Sequence, residues 1–304
     1  MNGLTTMILW KGHLGINMKL TVDDTTEGKM IREVLRGMHF SVRMISRLKF
    51  NGGILVNGQE KTVRYTLIKG DVLELIFPEK TEGNLQRQEM PLDIVYEDET
   101  ILVLNKPAEM ASHPSGGHEK DTLANAVAGY FERTGFRASV RMLGRLDRNT
   151  SGLMLISKNA YVHRLLALQM QEGTYQKTYL AVAHGVCPPT GVIDAPIGLC
   201  MGSIIQRCVR PDGKEAVTHF ETIRTNAEYS LVELRPKTGR THQIRIHMQH
   251  IGHSLAGDDF YGGSRQHINR HALHAHKIAF VHPTTGKSMQ FCRDIPPDMA
   301  ALME

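Results

Sequence analysis

Gly144-Arg145-Leu146-Asp147-Arg148-Asn149-Thr150-Ser151-Gly152-Leu153-Met154-Leu155-Ile156 sets one carboxylate between two guanidinium groups, with a small-residue turn directly before an apolar run. The run from Leu153 to Ile156 predicts a buried strand, because continuous aliphatic residues bounded by turn residues need cover on both faces. Arg145 and Arg148 favour the ionised form of Asp147. Thr150, Ser151 and Gly152 carry little side chain, which leaves room for another backbone to approach the carboxylate. Two readings stand here. Asp147 serves as a charged group in a tight pocket, or it caps a turn within a structural ion pair.

The chain around this stretch has 304 residues, enough for one large or two modest domains, each with its own core. Its 41% hydrophobic and 22% charged residues describe an ordinary soluble composition. A formal charge of +5 and a pI near 9.0 permit a polyanionic partner without demanding one. No apolar run approaches the ~18 residues of a membrane span. The first fifteen residues lack the charged start, long apolar centre and cleavage site of a secretory signal, so a cytoplasmic protein is expected. Cys187, Cys200, Cys208 and Cys292 show no C-x-x-C pairing and read as free thiols.

Sixteen histidines call for a check on metal binding, since His242, His247, His250, His253, His271, His274 and His276 crowd one region. The H-E-x-x-H pattern of a helical zinc site is absent. His247 and His250 have i, i+3 spacing, but packing or RNA contact is the preferred reading, and neither a metal nor a cofactor is expected.

Ahead of this region, residues 18 to 78 form a separable unit. Ile31, Val34, Leu35 and Met38 follow a helical period, and Val42, Ile45 and Leu48 predict a second helix after Gly37. Two strands follow, Ile54-Leu55-Val56 ending at the Asn57-Gly58 turn and residues 72 to 76 after Gly70-Asp71. Between Lys29 and Arg64 there are eight lysines and arginines against two acids, which predicts one basic face. Residues 78 to 90 are polar and aperiodic and read as a linker, 79 to 90 in its narrowest bounds. The larger unit, residues 91 to 304, opens with strands at Leu92 to Tyr96 and Ile101 to Leu104. Asp121 is placed to cap a helix, residues 161 to 171 predict another, and Tyr229 to Leu234 predicts a strand. Strands and helices without regular alternation argue for an α+β architecture.

The stretch around Asp147 resembles the signature of the RluA-type pseudouridine synthases, an arginine, leucine and aspartate followed by threonine, serine, glycine and aliphatic residues. Other matches fall in the family's order: Asn105-Lys106-Pro107-Ala108; Lys177-Thr178-Tyr179; and Gly239 to His247, reading GRTHQIRIH. They continue through Gly252-His253, Gly257-Asp258 with Tyr261-Gly262, Leu273-His274-Ala275 and His282-Pro283, and span roughly residues 91 to 296. The resemblance implies a mixed-sheet catalytic domain. The front unit resembles the small S-four-type RNA-binding domain through Arg43, Arg47, Lys49, the Ile54 to Gly58 turn and Gly70-Asp71. Those matches are short, and a solvated charged face is the alternative.

The implied reaction breaks the bond from the anomeric carbon to uracil nitrogen, turns the base and rejoins it through carbon 5. The resemblance gives Asp147 the sugar step, by attack on the anomeric carbon or by removal of the neighbouring proton. It makes Tyr179 the residue that stacks on the base, and Arg245 the partner that keeps Asp147 ionised once water is expelled. Arg145 would fill the space left by a uridine drawn out of the RNA, and Leu273 would line the uracil pocket. Glu109, Ser112 and Ser254 depart from the family's usual glycine, valine and proline and put local loop shape in doubt. The expected partner is RNA, large-subunit ribosomal RNA first and transfer RNA second, with no membrane and no obligate protein partner. A catalytically silent RNA-binding protein and a metal-dependent hydrolase remain as other classes of answer.

Overall fold

Alternating apolar and polar residues build the first sheet. The computed structural model describes residues 7–12, 15–51, 53–77, 85–115, 119–136 and 138–304. Strands β1 (Met7–Gly12) and β2 (Gly15–Thr21) extend this sheet ahead of residue 18. Helices α1 (Ile31–Gly37) and α2 (Val42–Asn51) follow, then β3 (Gly53–Val56), β4 (Gln59–Glu60) and β5 (Val72–Ile76). The strands join in the order β1-β2-β5-β3-β4, all antiparallel. In β3 and β5 every second residue is buried, and Leu73, Leu75, Ile54 and Val56 meet Ile31, Leu35 and Leu48 of the helices. Asn57 and Gly58 both take positive φ, as the turn signal requires, and Asn57 is held by the Asp71 carboxylate at 2.8 Å.

Of the expected linker, residues 78–84 lie outside the described residues. Residues 85–90 are docked on α3 (Leu123–Arg133): Asn125 Nδ2 donates to the Gln86 carbonyl at 2.6 Å, and a Cβ on Gly129 would lie 2.2 Å from the Gln88 carbonyl oxygen. The helix is capped by Thr122, not by Asp121. The Thr122 hydroxyl accepts from Asn125 N, while Asp121 sits one residue too early, at φ 58, with its carboxylate accepting from the Gln88 amide.

The second sheet is assembled from β6 (Asp93–Glu97), β7 (Ile101–Lys106), β8 (Arg141–Met142) and β9 (Ser151–Ser157). After α4 (Ala160–Glu172) come β10 (Gln176–His184), β11 (Thr190–Asp194), the hairpin β12 (Ile197–Leu199) and β13 (Arg207–Val209), β14 (Val217–Thr225) and β15 (Tyr229–Pro236). Helix α5 (Gln243–His250), strands β16 (Leu273–Val281) and β17 (Ser288–Cys292) and the short α6 (Pro297–Ala300) complete the chain. The order is β11-β14-β15-β10-β16-β9-β7-β6, with β8 and β17 beside it and β12 and β13 apart. All its pairings are antiparallel except β16 on β9, which makes the sheet mixed and the fold α+β as expected.

Strand β9 is buried at every residue, as its aliphatic run predicts. Gly152 is the tightest point of this strand. Its φ is 112, and a Cβ there would lie 2.4 Å from the carbonyl oxygen of Ala275 on β16. The close backbone approach expected beside Asp147 therefore occurs within the sheet, between β9 and β16, and it seats the Asp147 turn next to the start of β16. Helix α4 links the two sheets. Tyr161 of α4 stacks on Phe40 with centroids 4.5 Å apart and belongs to the core of the first sheet. Among the described residues no helix is long and apolar enough to cross a membrane.

Candidate active site

Three central strands meet at one place, β9 and β16 at their first residues and β10 in its middle. Asp147 lies in the turn before β9, Leu273 opens β16, and Tyr179 on β10 adjoins Leu180, which pairs with His274. A register shift in β10 falls between Thr178 and Leu180, at Tyr179 itself. Helix α5 lies beside these ends and supplies Arg245. The result is a cleft of about 290 Å³ lined by Asp147, Tyr179, Arg245, Leu273, Arg145 and His242 among others. The sequence expectations of Asp147, Tyr179, Arg245, Leu273 and Arg145 thus converge on one cavity. Arg43, Arg47 and Lys49 do not; they lie on α2, in the first sheet's layer.

The guanidinium groups next to Asp147 in sequence are not its pairing partners. Arg148 turns away and donates through Nε to the Glu109 carbonyl at 3.0 Å, and Arg145 is exposed on the cleft wall. Arg245 Nη1 makes the pair, 3.2 Å from Asp147 Oδ2. The other side of that guanidinium is held by Asp258, Nε to Oδ2 and Nη2 to Oδ1, both at 2.7 Å. Arg245 is 7% and Asp258 1% exposed, so the fork is formed out of water. Burial works to lower the Arg245 pKa, but the Asp258 hydrogen bonds and the charges of Asp258 and Asp147 outweigh it and raise it. The ring of Tyr261 lies 4.9 Å from the guanidinium carbon.

Asp258 had only its place in a motif to mark it. Its loop is wedged by Gly257, at φ 75, where a Cβ would lie 2.0 Å from the Arg270 carbonyl oxygen. His242, with φ 57 before α5, points Nδ1 at the Tyr261 hydroxyl at 2.8 Å and Nε2 at Asp147 Oδ2 at 3.8 Å. Burial pushes its pKa down against the pull of Asp147. Lys106, fully buried, donates to the carbonyls of Pro107, Met110 and Arg148 at 2.7, 2.8 and 3.1 Å and so ties the Asp147 turn to β7. Desolvation pushes its pKa down to about 7, with Asp147 opposing. No periodicity marks these contacts, because each joins residues from different elements.

Tyr179 is 8% exposed. Burial, and then the charge of Asp147, raises its phenol pKa, so it presents a neutral ring. The departures from the family pattern make contacts of their own. Ser112 Oγ donates to the Leu146 carbonyl at 2.7 Å and accepts from Leu146 N at 3.1 Å, directly beside Asp147. Ser254 Oγ donates to the Tyr261 carbonyl at 2.7 Å. Glu109 takes φ 66, the left-handed region that favours glycine.

The histidine-rich region is mostly structural. His271 lies 2.8 Å from the Thr150 hydroxyl, His274 2.8 Å from the Ser151 hydroxyl, and His247 is fixed by Thr218 and the Ala195 carbonyl. Among the described residues no group of three or more histidine, cysteine or acidic side chains is placed to hold a metal ion.

A carboxylate paired with arginine, a neutral tyrosine and an apolar wall beside a mixed sheet make a cleft shaped to hold a flat, uncharged ring next to a charged group. Comparison with known proteins gives the chemistry. The RNA pseudouridylate synthase family matches residues 100–250. The chain is 43% identical to the uncharacterized RNA pseudouridine synthase YjbO of Bacillus subtilis (strain 168), over 90% of this chain and 98% of that one. It is 34% identical to the ribosomal large subunit pseudouridine synthase D of Vibrio vulnificus (strain CMCP6), over 95% and 94%. Among solved structures, human RNA pseudouridylate synthase domain containing 1 superposes with a TM-score of 0.58 at 25% identity, covering 73% of this chain and 90% of that one. The chain belongs to the RluA-type RNA pseudouridine synthases. It is an isomerase acting on RNA.

Proposed function

We propose that this synthase isomerises uridines of large-subunit ribosomal RNA, with Asp147 as the carboxylate of the sugar step. The observation that carries the site assignment is the Arg245 to Asp147 pair at 3.2 Å inside a cleft that Tyr179 and Leu273 also line. A carboxylate enclosed by substrate stays anionic only beside a buried cation, and Arg245 is that cation. Tyr179 stacks on the uracil, and Leu273 closes the apolar side of its pocket. Arg145, exposed on the cleft wall, enters the RNA where the flipped nucleotide has left, replacing part of its stacking.

The target class draws support from the Vibrio vulnificus relative, whose name refers to the ribosomal large subunit. The front unit acts as an S-four-type RNA-binding domain, with Arg43, Arg47 and Lys49 on its basic face. Helix α2 carries no acidic residue, and those three side chains form no ion pair among the described residues. Arg43 and Arg47 are one turn apart and share a side of the helix.

The test is a comparison of pseudouridines across total RNA from cells with and without the gene. Sites lost from large-subunit ribosomal RNA are the expected result, and losses confined to transfer RNA would replace the target. Asp147→Asn should abolish isomerisation while RNA affinity stays within about tenfold, or ~1.4 kcal/mol. Retained turnover would remove Asp147 from its role.

A further inference from the structure

Tyr175, just before β10, and Lys177 and Tyr179 within it, every second residue, line one wall of the cleft. Tyr179 has the stacking role proposed above. Among the described residues neither of the other two has a hydrogen-bond partner. The Tyr175 hydroxyl is buried and makes no hydrogen bond among the described residues. Lys177 Nζ lies 5.9 Å from the Tyr175 ring centroid and 3.5 Å from where a Cβ on Gly144 would stand, with no carboxylate or carbonyl to receive it among the described residues.

The buried cations of the site are already occupied, whereas Lys177 is half-buried. Arg245 is held by two carboxylates and Lys106 by three carbonyls. Desolvation pushes the Lys177 pKa down to about 8, the response of an ammonium with no counter-charge. A cation kept in this state loses stability in the free protein and regains it when an anion arrives.

The reaction itself creates one. When the bond from the anomeric carbon to N1 breaks, its electron pair leaves with the base, and the negative charge spreads over N1, O2 and O4. The pair returns to the anomeric carbon through carbon 5, which then gives up its proton while N1 takes one up, so the charge exists only while the base is detached. The geometry points to Lys177, beside the Tyr175 ring, as the group that holds the negative charge of the detached uracil. Phosphates are better served by Arg145, Lys237 and Arg240, which are exposed on the cleft's lining. A charge that develops only along the reaction is stabilised by a donor already in place, and that raises turnover more than binding. This inference rests on the reading of the cleft as the uridine site.

Total RNA from a strain lacking the gene, with tritium at carbon 5 of its uridines, serves as substrate. Single-turnover tritium release is measured over a range of enzyme concentrations for wild type, Lys177→Met, Lys177→Arg, Tyr175→Phe and Asp147→Asn. Lys177→Met should lower the maximal rate about a hundredfold, the size of losing one charge-stabilising donor, with half-saturation moved by less than about threefold. Lys177→Arg should recover at least about tenfold of that loss, and Tyr175→Phe should lower the rate less than Lys177→Met does.

The wild-type rate should also fall as pH rises through about 8. The groups lining the cleft with Lys177 titrate elsewhere: burial raises Tyr175 and Tyr179, His242 is pushed below the ordinary histidine range, and Arg245 is raised; Lys106, outside the lining, is pushed to about 7, so the limb that belongs to Lys177 is the one above it. Asp147, Arg145, Lys237 and Arg240 are the remaining charges on the cleft. An unchanged maximal rate in Lys177→Met with weakened half-saturation would make Lys177 an RNA-backbone contact and overturn the inference. So would a wild-type profile flat through pH 8, which needs no variant to fold. Turnover by Asp147→Asn would instead overturn the cleft reading, a separate failure.

Discussion

Asp258 grips Arg245 through two hydrogen bonds of 2.7 Å and leaves the guanidinium's remaining nitrogen to Asp147 at 3.2 Å. The fork fixes the plane of the guanidinium before substrate arrives, which makes Asp258 a positioning residue that acts through Arg245. Removing one partner of a buried pair strands the other. Asp258→Ala is expected to destabilise the fold by about 3–5 kcal/mol, measured by urea unfolding. Asp258→Asn keeps the shape and should lower the maximal rate with little change in half-saturation. Equal loss in both would show a general packing role.

The buried histidines predict the acid limb of stability. Burial pushes His274 down to about 4 and His271 to about 2, so both are neutral in the folded protein and take up protons on unfolding below the ordinary histidine value. Their contribution is complete above about pH 6.5 and is lost as pH falls towards 4. Thermal unfolding from pH 7.5 to 5 should show a falling midpoint, with a shallower slope in His274→Asn. Parallel slopes would remove His274 as a source.

Glu109 occupies a backbone conformation with φ 66 that a side chain disfavours. Glu109→Gly should raise stability by about 1 kcal/mol, since Arg148 is held by the backbone carbonyl and keeps its acceptor. A lower unfolding midpoint would mean that the side chain contributes more than the strain costs.

The basic helix face makes a claim about salt. Replacing Arg43, Arg47 and Lys49 with alanine should reduce the dependence of log affinity on log salt by about 2–3, roughly 0.9 for each phosphate that is no longer neutralised. Removing residues 1 to 80 should do at least as much and leave the cleft residues intact. An unchanged slope in both proteins would refute RNA binding by the front unit.

Much of the fold was legible before any coordinates, because helix and strand periods are local. The apolar spacing at Ile31, Val34 and Leu35, the aliphatic run after Gly152 and the Asn57-Gly58 turn each appear where the pattern places them. Asp121 shows the limit of such reading. It and Thr122 are both residues that cap helices, and the choice fell to Thr122 because Asn125 stands three residues on to close the box and Gln88 draws Asp121 aside. The flanking arginines show another. Proximity in sequence suggested Arg145 and Arg148 as cations beside Asp147, but side chains leaving a tight turn diverge, and the pair is made by Arg245, which the family resemblance had named, 98 residues away.

The sequence by itself determined the family signature, the mixed architecture and the residues that gather at the site. Tertiary structure decided the contacts that no motif names: Asp258 on Arg245, His242 on Tyr261 and Arg148 on the Glu109 carbonyl. The parallel pairing of β9 with β16 sets Ser151 opposite His274 and Ala275 against Gly152. That close approach, which tolerates no Cβ, brings the Asp147 turn to the start of β16, while the Gly257 loop carries Asp258 up to Arg245. Electrostatic pairing depends on distance in space and on exclusion of water, and neither is a local property of the chain.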